Sequence, residues 1–99
     1  MILRELLEGA AAGLDPIDAR TTDDGTVWQR DGREFAALRA GRVEFRLPPV
    51  IGRAAIGTPS TSASERGAEW VAFAPPDLDR TAVDRGVAWF EAAWRHAGD

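Results

Sequence analysis

The chain has 99 residues, a formal net charge of −4, 44% apolar content and no cysteine. That length is one domain, and the missing cysteines exclude disulfides, thiolate metal sites and cysteine nucleophiles. The acidic balance opposes non-specific attraction to nucleic acid.

No segment approaches the roughly 18 apolar residues of a membrane span. The opening MILRELLEGAAAGL carries Arg4, Glu5 and Glu8 and lacks the basic and apolar regions of a signal peptide. The expectation is a soluble cytoplasmic protein with no membrane partner. All twelve basic side chains are arginine, which reads first as coding bias and second as arginine-specific chemistry. The charge is uneven: residues 30–53 sum to +3, residues 1–29 to −4 and residues 54–99 to −3.

In chain order, Ile2, Leu3, Leu6, Leu7, Ala10 and Leu14 recur at helical spacing, so residues 2–13 read as an amphipathic helix. Residues 15–25 are acidic and turn-rich. TVWQR, REFAALR and RVEFRL follow, separated by Asp31-Gly32 and Ala40-Gly41, as a three-stranded antiparallel meander. The third strand alternates, with Val43, Phe45 and Leu47 inward and Arg42, Glu44 and Arg46 outward. Pro48-Pro49 stops it, and VIGRAAI allows one or two helical turns.

Residues 57–67 form a low-complexity Ser/Thr stretch, expected to be a mobile loop. EWVAFA reads as a fourth strand, and Asp79, with Asp77 as alternative, as the N-cap of a last helix. The stripe of that helix is Val83, Val87, Phe90, Trp94 and Ala97, widened by Ala82, Gly86, Trp89 and Ala93. The fold expected is α+β, an antiparallel sheet packed against N- and C-terminal helices.

Arginines bracket both glycine turns. With two-residue loops, Trp28 faces Phe35 and shares an outer sheet face with Arg30, Arg33, Ala37, Arg39, Arg42 and Arg46. Val27, Ala36, Leu38, Val43, Phe45 and Leu47 then line the core. Aromatic and guanidinium groups on one sheet form a platform that stacks bases or holds anions. The candidate nucleic-acid site is therefore Trp28, Arg30, Arg33, Phe35, Arg39, Arg42 and Arg46, with Arg53 and Arg66 beside it. Two alternatives stay open. A three-residue second loop would shift the register, and Trp28 and Phe35 would otherwise pack under a helix or against a second copy, leaving the arginines as hairpin-end charges.

Chemistry is sparsely provided. His96 is the single histidine and lies near the C-terminus, where a helix end favours its charged form. Ser60, Ser62 and Ser64 lie outside any nucleophile elbow, and no phosphate-binding glycine loop occurs. Asp23-Asp24 and Asp77-x-Asp79 stand where turns and caps use aspartate. The expectation is no enzyme, no cofactor and no metal site.

The order of elements, with GREFAAL (32–38), VEFRLPP (43–49), EWVAF (69–73) and LDRTAVDRGVAWFEAAW (78–94), resembles the MmcQ/YjbR family. The resemblance implies a single compact α+β domain over 1–99 of the double-wing type, for which a DNA-binding label is common. Here Arg33-Glu34 stands where lysine is common, and the net charge is acidic. A second resemblance, to luciferase-domain-like small proteins, rests on the strand beginning at Trp70-Val71.

Overall fold

The computed structural model describes residues 1–99. Its elements are α1 (Leu3–Ala12), β1 (Asp18–Thr21), β2 (Gly25–Arg30), β3 (Arg33–Arg39), β4 (Arg42–Arg46), α2 (Pro49–Ile56), β5 (Thr61–Ala63), β6 (Trp70–Phe73) and α3 (Arg80–Ala97). All six strands join one antiparallel sheet in the order β1-β2-β3-β4-β6-β5. The fold is α+β, with the expected meander and fourth strand at its centre.

Two edge strands, β1 and β5, were not expected from the sequence. They lie in the acidic turn segment and inside the Ser/Thr stretch. Neither alternates apolar with polar residues, because all four residues of β1 are exposed and none of β5 is buried. Main-chain pairing and a few polar side-chain contacts hold them, and that leaves no hydrophobic period to read.

The helices cover one face. Phe90 of α3 is fully buried and meets the rings of Trp28, Phe35 and Phe45 edge-on, with centroids 5.4, 5.2 and 6.5 Å away. Trp89 makes the same kind of contact with Phe73 at 5.1 Å. The buried stripe of α3 is Ala82, Gly86, Phe90, Ala93 and Ala97, while Val83, Val87 and Trp94 lie half-buried at its border. Small residues on that stripe let helix and sheet approach closely. At Gly86 a Cβ would come within 3.0 Å of Leu6 of α1. Asp79 caps α3 as expected, its carboxylate accepting from the Ala82 N–H at 2.8 Å. Behind Pro49, α2 covers the β6–β5 end of the same face, with Gly52 set over Leu47 and Val71.

The other face carries no helix, and one irregularity decides which residues reach it. Both glycine turns are two-residue loops, pairing Arg30 with Arg33 and Arg39 with Arg42. Their central residues all have positive φ: 51° and 82° at Asp31-Gly32, 50° and 76° at Ala40-Gly41. That is the backbone of a primed hairpin turn. Between the turns β3 carries a bulge. Gln29 pairs with Glu34 and Trp28 with Ala36, so Phe35 is the extra residue.

The expected pairing of Trp28 with Phe35 is thereby corrected, because the extra residue shifts the register by one and exchanges faces. Trp28 and Phe35, 2% and 0% exposed, lie in the core under α3 and form no surface platform. Val27 moves to the helix-free face instead.

Candidate functional site

The basic residues of the meander separate into two groups. Arg30 and Arg33 belong to the helix-covered side. The last carbonyls of a helix have no intrahelical partner and attract cations. Arg30 donates to the Trp94 carbonyl at 3.1 Å, and its guanidinium carbon lies 3.7 Å from the centroid of the Trp94 ring. Arg33 donates to the carbonyls of Ala97 at 3.4 Å and Asp99 at 2.8 Å. Gly98 leaves the space that the Arg30 guanidinium occupies, since a side chain there would collide with it. These two arginines cap α3, and their place on an outer binding face is corrected accordingly.

Arg39 and Arg42 stand on the helix-free face, and Arg66, from the segment after β5, joins them. A chain of alternating charge runs across four strands. Arg20 meets Glu34 at 2.9 Å, and Arg66 meets the other oxygen of Glu34 at 3.5 Å. Arg66 also lies 3.5 Å from Glu44, which Arg39 approaches at 3.6 Å. Ser64 donates its hydroxyl to the second Glu44 oxygen. Glu44 points away from the helices, as the alternation of β4 requires, yet it is only 1% exposed. The arginines and Ser64 cover it, so its burial comes from neighbours distant in sequence.

This chain encloses a depression of about 220 Å³, lined among others by Arg20, Arg39, Arg66, Thr22 and Asp24. Val27 and Ala37 also line it, and both are buried. Arg46, at the end of β4, is held by Glu69 at 2.9 Å. Arg42 has no ion-pair partner within 4.0 Å.

Of the seven residues expected to form the site, the structure pairs Arg39 with Arg42 on the helix-free face, sets Arg46 apart at the far end of β4 against Glu69, and moves Trp28, Phe35, Arg30 and Arg33 to the helix-covered side. Arg66, flagged in the sequence only as a neighbouring charge, is the central link of the chain. Arg20 and Glu34 entered no sequence argument for the site. Their positions were illegible because β1 has no apolar period and the bulge has no marker residue.

Arg53 lies elsewhere, in the cleft between α2 and the β6–β5 end of the sheet. His96 lies 3.6 Å from Glu69, on the last turn of α3. Asp77 and Asp79 border a polar depression with Ser60 and Arg85. No family model, curated protein or solved structure matches the chain.

Proposed function

We propose that this chain is a small, non-enzymatic, cytoplasmic interaction module of the MmcQ/YjbR-like type, which works through the helix-free face of its sheet. The partner that face fits is a polypeptide, first of all a second copy of the chain. One observation carries the reading: the charges on the face alternate in sign along Arg20, Glu34, Arg66, Glu44 and Arg39. A polyanion calls for one sign of charge over an extended track. An alternating surface is self-complementary instead, because a two-fold axis sets each residue against a different residue of the other copy.

The nucleic-acid reading retains less support than the sequence suggested. Its two aromatic members are in the core, and Arg42 alone among its arginines is free of both an ion pair and a helix carbonyl. Two measurements separate the readings. Sedimentation of the purified chain over a concentration series is expected to show a monomer–dimer equilibrium. Arg66→Glu should weaken it, and adding Glu34→Arg should restore part of the loss. Anisotropy of a labelled single-stranded oligonucleotide at low salt is expected to stay flat. A monomer at every concentration would defeat the proposal. Oligonucleotide binding that falls steeply with salt and is lost in Arg42→Gln would replace it with the nucleic-acid reading.

A further inference from the structure

The cleft between α2 and β6 has a composition unlike that of the helix-free face. It encloses about 400 Å³ and is walled by Leu47, Ile56, Val71 and Trp70, a size within the roughly 300–1,000 Å³ range of small-molecule sites. Leu47 and Val71 at its base are buried, while Ile56 on the rim is 44% exposed. Gly52, where α2 crosses Val71, presents no side chain to fill the space.

Two charged residues line the cleft, Arg53 and Glu69. Glu69 already has its cation in Arg46 at 2.9 Å, with the His96 ring 3.6 Å away. Arg53 has no carboxylate within 4.0 Å, and its one hydrogen bond is a 3.5 Å contact from Nε to the Pro49 carbonyl within its own helix. The cleft therefore combines an apolar wall, the indole of Trp70 and a single uncompensated guanidinium. From this combination we infer that the cleft binds a small monocarboxylate with a compact apolar body, aliphatic or aryl. The carboxylate pairs with Arg53, and the body lies over Leu47, Val71 and Trp70.

The charge complementarity is specific. One guanidinium matches one carboxylate, and charge-assisted pairs of that kind are stronger than neutral hydrogen bonds. A multiply charged phosphate would find a single cation and a largely apolar lining. The cleft is half open, so the affinity expected is modest. The cleft adjoins the helix-free face at one point, where the Arg66 guanidinium lies 5.2 Å from the centroid of the Trp70 ring, but Arg53 belongs to the cleft alone.

Octanoate, octanol and acetate test the assignment, followed by two-dimensional proton–nitrogen spectra of the intact chain. Octanoate is expected to shift the Trp70 indole signal and the amides of residues 52–56 and 68–71. Octanol, with a similar body and no charge, and acetate, with the charge and no body, should each bind roughly tenfold more weakly or worse. Arg53→Gln, an exposed substitution, should weaken octanoate by about tenfold while leaving octanol unchanged. Three results would overturn the inference: equal octanoate affinity in Arg53→Gln, shifts confined to another region, or no saturable shift with octanoate. Arg53 takes no part in the ion-pair chain of the helix-free face, so Arg53→Gln tests the cleft without altering the proposed dimer contacts, and either reading can fail alone.

Discussion

The two glycine turns, Arg30-Asp31-Gly32-Arg33 and Arg39-Ala40-Gly41-Arg42, have nearly the same sequence and the same backbone, yet their arginines act on opposite sides of the sheet. Arg30 and Arg33 hold the end of α3, whereas Arg39 and Arg42 stand on the helix-free face. Arg33 and Arg39 are six residues apart on one strand, and the two-residue period would place them together. Phe35 is the reason it does not. One extra residue in β3 reverses the alternation, sending one pair of charges into the support of a helix and the other to solvent. A local motif thus sets the turn, and an irregularity between the motifs sets its role.

The strongest way to break this contrast is to remove the anchor of the bulge. Phe35 is fully buried against Phe90, so Phe35→Ala should cost about 3–5 kcal/mol in denaturant unfolding. A change within error would mean that the bulge is held by something other than its ring. Next comes Glu44→Gln, which leaves Arg39 and Arg66 without their shared carboxylate. The cost should be about 1–3 kcal/mol, toward the lower end because both arginines are part-exposed and regain water. It should also speed amide exchange across residues 64–69.

The contrast sharpens when the twin arginines are compared. Arg30→Ala removes a helix-end donor and a stacked guanidinium, for about 1–2 kcal/mol. Arg42→Ala, on the open face, should change stability by less than about 0.5 kcal/mol. Equal melting temperatures for the two variants would erase the distinction drawn between the turns. A further comparison concerns the turn backbones. Ala40 holds φ at 50°, a region that disfavours alanine and suits asparagine. Ala40→Asn should therefore raise stability by about 1 kcal/mol, while Asp31→Asn in the other turn should leave the melting temperature unchanged.

Much of the architecture was legible because it follows periodicity. The spacing of α1, the alternation of β4, the Asp79 cap and both turns each have a residue-level cause. What escaped has no such signature. A bulge without glycine leaves no mark in REFAALR, and DART and TSA are held by main-chain pairing and polar contacts, with no apolar period. The candidate site suffered most, since a single register step moved Trp28 and Phe35 from surface to core. The burial of Glu44 was unreadable for a further reason. Arg66 and Ser64, which cover it, follow it by some twenty residues, and no local pattern announces them.

The ends of the sheet have a consequence of their own. Its apolar strands are all interior, and the outermost places belong to the four residues of β1 and the three of β5, which carry Asp18, Arg20 and Ser62. Long, flat apolar edges invite foreign chains to add a strand, which is how fibrils grow and how many peptide-recognition domains hold their ligands. Short, polar and partly charged edges offer few free main-chain groups in register for such a guest. Such edges disfavour strand addition, so the binding proposed for the open face and the cleft would rest on side chains. The same two borders protect a sheet rich in buried aromatics from joining its neighbours edge to edge at high concentration.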